Sequence, residues 1–363
     1  MSTPVNKENS YFNALTGFRF LAACLVFVFH NRKYWRANLN PEVLRFVNEF
    51  HIGVTLFFVL SGFLITYTYF DDPLTSKKQF FSYVFIRFAR ILPLYWLILT
   101  LYYLDPSFGN YQFSALTYSL FHGFSGKWNI VGISQAWSLN VEMTFYLLAP
   151  FLALLFRKHL GYLVLFLIAI FFMAWGTGFI WFKINGNSQE FMYPVTFLFQ
   201  STFFGRSSQF LFGMILAYAL KNNSVEIIKN TKYKTLVGFW GIIISAYCIG
   251  LFQKDIYSHG NEHVVGELIH LLVLPFFVAV TLAGLIFEKT WIQKFFSSKL
   301  IVLLGNASFA FYLIHISYVN LKIKQFVLLP DRNFILLWLI SILIYLLFEK
   351  PVYKFCRKLV LQK

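Results

Sequence analysis

Ten runs of apolar residues recur along the 363-residue chain, separated by shorter polar segments. Each run is close to the roughly 20 residues that an α-helix needs to cross a bilayer, although the third and the tenth are short. The runs cover residues 14–30, 51–70, 91–104, 140–156, 161–181, 205–220, 235–252, 264–287, 300–318 and 334–348. This pattern predicts an all-α, polytopic transmembrane bundle of about ten membrane-spanning helices.

Composition supports a membrane protein and argues against several soluble classes. Hydrophobic residues make up 58% of the chain and charged residues 13%, whereas a soluble domain carries about 25% charged residues. The net charge of +16 is read as basic loops facing anionic lipid, so no nucleic-acid partner is expected. Lys and Arg are more frequent in the connections that lie on the same side of the membrane as the amino terminus. This bias predicts that both termini are cytoplasmic.

The domain organisation expected from the sequence is a single membrane domain over residues 1–363. Its core covers about residues 15–353, and residues 354–363 form a basic cytoplasmic tail. The first apolar run is not read as a cleaved signal peptide, because it contains Arg19, ends on His30 and lacks a small-residue cleavage site. The three cysteines have no paired spacing, which excludes a disulfide scaffold and a cysteine zinc site.

Two ionisable residues in the first run stand out, because charged groups at membrane depth are costly and often functional. Arg19 and His30 are eleven residues apart, so a helix places them on one face, about 16 Å apart along its axis. In one interpretation Arg19 reaches for the membrane interface and His30 caps the helix end. In the other they form an inward polar stripe, and a neutral His30 can take a proton from an alcohol.

A second set of charges flanks the third and fourth runs. Arg87 and Arg90 are three residues apart at the expected cytoplasmic entry to the third span. They are read either as ordinary positive-inside anchors or as a fork that binds phosphates. Glu142 is one of the few acids beside an apolar run. It can favour a helix N-terminus, or it can orient a histidine.

Polar residues also cluster in the last third of the chain. If the eighth helix begins early, His259, His263, Glu267 and His270 form one stripe at its outer end. Such a stripe can hold a metal, but the favoured interpretation is that Glu267 and His270 line a wet cavity or pair with each other, and no metal is expected. Tyr312 and His315 lie three residues apart in the ninth run and suggest a hydrated interior. No motif indicates a nucleotide-binding loop, a Ser-His-Asp site or a redox site.

Six short motifs occur in an order that resembles the acyltransferase-3 family of integral membrane O-acyltransferases. The resemblance covers nearly the whole chain, from Leu15 to about Tyr353. Thr55, Met143 and Phe309 depart from the residues that are frequent in this family. The motifs are LTGFR at 15–19 with His30 after ten intervening residues, GVTLFFVLSGF at 53–63, RxxR at 87–90 before LPLYW at 92–96, WSLxVExxFY at 137–146, YLIH at 312–315 and FEKP at 348–351.

The resemblance implies a function and a mechanism. It implies transfer of an acyl group, acetyl by preference, from cytoplasmic acyl-CoA to a hydroxyl of a surface polysaccharide or cell-envelope glycan, in a bacterial cell membrane and without a cofactor. His30 is expected to be the catalytic base or acyl carrier, with Glu142 orienting it. The CoA phosphates are assigned to three arginines, and further residues are expected to line the site. These residues are Arg19, Arg87 and Arg90 for the phosphates, and Ser61, Trp137, Ser138, Asn140, Glu267, His270, Tyr312 and His315 for the lining.

One other class of function fits the composition. Ten helices with intramembrane His and Arg also suit a multi-pass transporter or exporter of a glycan or a small solute. The absence of a detectable inverted repeat argues against a carrier, as do the ordered motifs. The resemblance further implies a stand-alone membrane unit without the hydrolase-like domain that some relatives append.

Overall fold

A computed structural model describes residues 5–34, 39–71, 74, 76–105, 114–186, 191–222, 225–255, 258–326 and 329–361, with side chains from residue 12 onward. Parts of two predicted segments lie outside the described residues: the first four residues of the domain, and residues 362–363 of the basic tail. Within the described ranges the regular structure is helical, and β-type pairing is limited to one isolated bridge between Ser125 and Phe191.

The described residues form eighteen α-helices, numbered here in chain order. The first nine are α1 (Val5–Asn31), α2 (Pro41–Asn48), α3 (Gly53–Thr68), α4 (Lys77–Leu104), α5 (Ser114–Tyr118), α6 (Trp137–Lys158), α7 (Leu160–Asn185), α8 (Val195–Ser201) and α9 (Phe203–Lys221). The others are α10 (Val225–Asn230), α11 (Lys234–Gly250), α12 (Val264–Leu268), α13 (Leu274–Phe287), α14 (Trp291–Phe296), α15 (Lys299–Ile314), α16 (Tyr318–Lys324), α17 (Pro330–Ile344) and α18 (Lys350–Leu361).

Seven helical stretches of the described chain are long and apolar enough to cross a membrane, and an eighth counts if α15 and α16, bent by 85°, form one span. The predicted count of about ten is therefore not confirmed. The sixth predicted span becomes α9, which does not meet that test and whose first turns carry Arg206, Ser207, Ser208 and Gln209. The seventh becomes α11, which has only 17 residues. Both are helices, so the prediction of an all-helical membrane protein is confirmed.

The chain divides into two compact units. The first unit comprises residues 1–68 and 208–312, and the second comprises 69–207 and 313–363. The core of the first unit is an apolar cluster built from α1, α3, α11 and α13, with fully buried side chains such as Phe18, Val59 and Leu282. In the second unit, α4 packs against α6 and α18, and α6 packs against α7.

Two helix ends differ from the sequence prediction and move the functional residues. α4 begins at Lys77, because Ser76 and Gln79 form a reciprocal capping box there. The apolar run that predicted the third span begins at residue 91, so the helix starts fourteen residues earlier and contains Arg87 and Arg90, as their predicted helical spacing requires. Likewise the chain stays helical beyond residue 348, through a π-helical turn at Tyr345–Glu349 and α18. The predicted basic tail is thus the end of a helix.

Candidate active site

Helix α1 carries Arg19 in its middle and His30 in its last turn. Both side chains are partly buried. The Arg19 Nε donates a hydrogen bond of 3.3 Å to the Ser308 hydroxyl. Its guanidinium also lies 5.7 Å from the centre of the Phe57 ring. Arg19 is therefore held inside the first unit by α3 and α15, and it does not serve as an interfacial anchor at the start of the helix.

The residues around Arg19 include two of the predicted lining positions. Tyr312 is buried, and its ring lies 6.0 Å from that of Phe57. Ser61 follows Phe57 by four residues on α3 and is partly buried, so the two share a helix face. Arg19 and Tyr312 thus both contact the Phe57 ring, and Ser61 lies on the same face of α3 as that ring.

Glu267 and His270 pair with each other, which was one of the two predicted alternatives. The His270 Nδ1 lies 3.3 Å from the Glu267 carboxylate, and the His270 Nε2 lies 3.1 Å from the Thr55 hydroxyl. His270 is fully buried in the π-helical turn Ile269–Val273. Both ring nitrogens of His270 thus have hydrogen-bond partners within the first unit, so the residue belongs to a buried hydrogen-bond network.

The predicted stripe of four polar residues on the eighth helix is wrong. The helix begins only at Val264, where the His263 Nδ1 accepts a hydrogen bond from the Val265 amide as an N-cap. His259 lies before the helix, and its ring packs 5.4 Å from that of His51. The stripe fails because a 3-10 turn at Gly260–Glu262 interrupts the helical spacing on which it depended.

In the second unit, Arg87 lies in a cage of three tyrosines. Its guanidinium carbon is 5.5, 5.6 and 5.9 Å from the ring centres of Tyr69, Tyr83 and Tyr146. These are favourable cation–π distances. The buried Arg87 Nε has no hydrogen-bond partner among the described residues. The cage therefore presents a planar guanidinium with unused hydrogen-bonding capacity, which suits an oxyanion ligand.

Glu142 belongs to the same cluster. Its carboxylate accepts a 2.5 Å hydrogen bond from the Tyr146 hydroxyl, one turn further along α6. The Tyr146 ring is also 5.9 Å from the Arg87 guanidinium. The helix that carries both arginines, α4, packs against α6, the Tyr345–Glu349 turn and α18 within the second unit.

The remaining predicted lining residues lie in the second unit. The Ser138 hydroxyl donates to the Gln135 carbonyl at 2.9 Å, and the Asn140 amide donates to the Leu120 carbonyl at 3.0 Å. The Arg206 guanidinium lies 5.3 Å from the Trp137 ring. His315 is buried just after the end of α15, and its backbone carbonyl accepts a hydrogen bond from Asn320. Ser138 and Asn140 thus hold the segment before α6, and a lining role for the four residues stays a prediction.

Comparison with known proteins gives the family. The profile of the acyltransferase-3 family, described as an acyltransferase domain, matches residues 12–348. The chain belongs to this family. The chain is therefore a multi-pass bacterial membrane protein whose fold is a helix bundle.

Two relatives illustrate the similarity. A protein from Staphylococcus aureus (strain COL), named "Putative O-acetyltransferase", is 23% identical over 96% of this chain and 57% of its own length. The peptidoglycan O-acetyltransferase OatA of Listeria monocytogenes is 22% identical over 88% of this chain and 51% of its own length. The chain therefore spans just over half the length of these curated relatives. No solved structure gives a significant match.

Sequence reasoning missed several residues that contact the predicted arginines, in each unit taken by itself. Tyr69, Tyr83 and Tyr146 form the cage around Arg87, and Phe57 stands between Arg19 and Tyr312. The only sequence signal was an aromatic residue one helical turn from an arginine, as Tyr83 is from Arg87. In a chain with 47 Phe and 21 Tyr, that signal is too common to be informative.

Proposed function

We propose that this acyltransferase moves an acyl group, acetyl by preference, from acyl-CoA to a hydroxyl of a cell-envelope glycan. Family membership carries the proposal. The glycan acceptor is suggested by a relative that is named a peptidoglycan O-acetyltransferase. A CoA thioester is suggested as donor because the second unit holds the caged Arg87 with Arg90 three residues further along the same helix. CoA carries several phosphates that such a pair can bind.

His30 is proposed as the catalytic base. A neutral imidazole can accept the proton of the acceptor hydroxyl while the oxygen attacks the thioester carbonyl. The carbon–sulfur bond then breaks, the CoA sulfur leaves with the electron pair, and the proton on the imidazole passes to that sulfur. In an alternative with the same atom balance, His30 first takes the acyl group and then transfers it to the hydroxyl. The first route needs His30 within hydrogen-bond reach of the acceptor hydroxyl, and the second needs it beside the thioester carbonyl.

Arg87 and Arg90 are proposed to bind the donor phosphates, with Arg19 as a further contact. Arg87 suits this role because the three tyrosine rings fix the plane of its guanidinium without using its hydrogen-bond donors. A guanidinium held in this way loses little conformational entropy when it binds a phosphate. Arg90 lies three residues further along α4 and adds a second positive charge on the same helix face.

The test is acyl-CoA turnover by the purified chain in lipid nanodiscs with a soluble glycan acceptor. We expect free CoA release and acceptor acylation in the wild type, and at least a hundredfold loss in His30→Gln. His263→Asn is the matched control, because asparagine keeps the N-cap to Val265. Arg87→Ala is expected to raise the KM for acyl-CoA about tenfold or more, whereas Arg332→Ala, at an exposed arginine, leaves it unchanged.

Two results would overturn the assignment. Turnover that is indifferent to His30→Gln would remove His30 as the base. A chain that moves solute across the bilayer and leaves acyl-CoA intact would instead be a carrier, which is the other class that the composition allows.

A further inference from the structure

A cluster of Glu49, His51 and His259 lies near the end of α1, outside the residues assigned to acyl transfer. One ligand-type atom from each of the three lies within 4.8 Å of the other two. The His51 Nε2 is 3.0 Å from the Glu49 Oε2. The three residues come from the segment after α2 and from the loop before α12, about 210 positions apart in the sequence. The family motifs include none of them, and the sequence placed only His259 in a candidate polar stripe, with different partners.

The Glu49 carboxylate is held rigidly by groups outside the cluster. It is completely buried, and its Oε1 accepts hydrogen bonds from the Gly260 amide at 2.8 Å and the Gln253 side chain at 2.5 Å. Gln253 also donates to the Arg45 carbonyl at 2.9 Å. This arrangement leaves Oε2 facing the histidines. Hydrogen bonds that orient a ligand carboxylate in this way are a regular feature of protein metal sites.

His259 is fixed by the backbone beside it. Gly260 is packed so closely that an added Cβ would lie 1.7 Å from the Ile249 carbonyl oxygen, so the neighbouring loop has little freedom to move. The His259 side chain faces the Glu262 backbone amide, but its buried Nδ1 makes no well-formed hydrogen bond to a described residue. A buried ring nitrogen without a good partner is destabilising, and the contact between Glu49 and His51 does not supply one.

The other histidines nearby are already engaged. His270 packs its ring 5.3 Å from His51, but its two nitrogens face Glu267 and Thr55. His263 caps α12. The donor set that remains is therefore two imidazoles and one carboxylate.

We propose that Glu49, His51 and His259 bind a divalent transition-metal ion of the zinc type. Two histidines and one glutamate form an established zinc donor set, which leaves a fourth coordination position for water or a ligand. A tetrahedral ion spaces its ligand atoms roughly 3.4 Å apart. The Glu49–His51 pair at 3.0 Å is already slightly closer than that spacing, and no pair is further apart than 4.8 Å. Side-chain shifts of up to about 1.4 Å therefore complete the site. This departs from the expectation, drawn from the sequence, that the protein binds no metal.

The site would bear on the end of α1. The Phe29 ring lies 5.5 Å from the His51 ring, 5.3 Å from the His259 ring and 4.8 Å from the ring of His30. An ion that joins His51 to His259 fixes two of the three rings against which Phe29 packs. Metal binding would therefore set the position of the side chain beside the proposed catalytic base, without placing the ion in the transfer step.

The experiment measures metal content and needs no activity. The full chain is purified in nanodiscs with its affinity tag removed, stripped with a chelator, and titrated with Zn²⁺ and with Co²⁺ as a spectroscopic probe. We expect about one tightly bound ion per chain and the visible absorption of tetrahedral Co²⁺. His259→Gln and Glu49→Gln should lose both signals, whereas His263→Asn, four residues from His259, should keep them.

Folding is separated from binding by a second measurement. In the absence of metal, His259→Gln should unfold within a few degrees of the wild type, and added Zn²⁺ should raise the midpoint of the wild type alone. If Glu49→Gln does not fold, His259→Gln still decides the outcome. The proposal fails if His259→Gln binds as much Zn²⁺ as the wild type, or if the wild type binds none. Because no step uses turnover, loss of the proposed acyl-transfer function would not change this result.

Discussion

The carboxylate of Glu142 and the hydroxyl of Tyr146 are joined by a 2.5 Å hydrogen bond within α6. The Tyr146 ring also stacks on Arg87 at 5.9 Å. Glu142 is thereby tied to the proposed donor site of the second unit. The sequence instead suggested that Glu142 orients the catalytic histidine, and the two roles have different kinetic consequences.

Tyr146→Phe separates these roles, because it keeps the ring under Arg87 and removes the bond to Glu142. If Glu142 offsets the positive charge of Arg87 and Arg90, its carboxylate, once freed from Tyr146, will compete with the donor phosphates for these two arginines. We then expect the KM for acyl-CoA to rise about three- to tenfold with kcat within twofold, since one charge-assisted hydrogen bond is at stake. Steady-state kinetics on nanodiscs check this. A fall in kcat with an unchanged KM would favour Glu142 as a residue that supports the base.

The close contact of α3 with α9 depends on glycine. A Cβ at Gly62 would lie 2.2 Å from the Phe210 carbonyl oxygen, and a Cβ at Gly213 would lie 2.0 Å from that of Val59. Gly62→Ala must push the helices apart, and we expect a loss of about 1–3 kcal/mol. Thermal unfolding in detergent measures it. Gly176→Ala is the control, because nothing lies within 4 Å of an added Cβ there; it should be neutral or stabilising by up to about 1 kcal/mol. Equal destabilisation by both changes would contradict the packing argument.

Glu288, at the end of α13, joins that helix to the start of α11 through hydrogen bonds. Its carboxylate accepts hydrogen bonds from the Lys234 amide at 2.7 Å, the Thr235 amide at 2.8 Å and the Thr235 hydroxyl at 2.6 Å. Burial raises the pKa of Glu288, but these hydrogen bonds and the Lys234 charge outweigh it, so the pKa lies below its ordinary value. This stability is present at neutral pH and is lost as the pH falls through the lowered pKa.

Glu288→Gln should therefore cost about 1–2 kcal/mol at neutral pH, because the charge-assisted hydrogen bonds at a helix N-terminus are weakened. The difference from the wild type should shrink as the pH is lowered towards the carboxyl range. Thermal unfolding midpoints across that range provide the measurement. A variant that is as stable as the wild type at neutral pH would show that the Glu288 contacts contribute little.

His122 makes folding sensitive to mild acid. It is buried in the 3-10 turn Phe121–Phe124, and its Nδ1 lies 3.4 Å from the Leu116 carbonyl oxygen. Burial lowers the pKa of His122 to about 4. The unfolded chain binds the proton more readily, so stability is full above about pH 6.5 and falls as the pH drops towards 4, by up to about 3 kcal/mol.

His122→Asn should remove this part of the pH dependence, although it will also lower the stability at neutral pH. His159→Asn is the control, because His159 is exposed and asparagine can keep its cap to the Gly161 amide. Unfolding midpoints between pH 4 and 7 distinguish the variants. The same acid slope in His122→Asn as in the wild type would assign that slope to another group.

The sequence predicted those parts of the molecule that depend on local pattern. Apolar runs located the membrane helices, and the spacing of Arg19 and His30 placed both on one helix. Helix ends were harder to predict from hydropathy. The Ser76–Gln79 capping box starts α4 at Lys77, fourteen residues before the apolar run begins, although the residues between them include several charges. The cluster of Glu49, His51 and His259 could not be predicted from the sequence. Glu49 is hydrogen-bonded to Gly260, 211 positions away, and Thr55 to His270, 215 positions away. No periodicity reports contacts at such separation.

The arrangement of the first unit has a consequence for how the protein is made. The unit is formed by two separate segments of the chain, residues 1–68 and 208–312. Arg19 donates a hydrogen bond to Ser308, which is 289 positions later in the sequence. A ribosome adds roughly 5–20 residues per second, so α1 is inserted about 15–60 s before the Ser308 hydroxyl exists. During that interval the guanidinium has to be accommodated by lipid headgroups, water or the insertion machinery. Biogenesis of this protein therefore includes an interval during which Arg19 lacks the Ser308 contact that it makes in the folded protein.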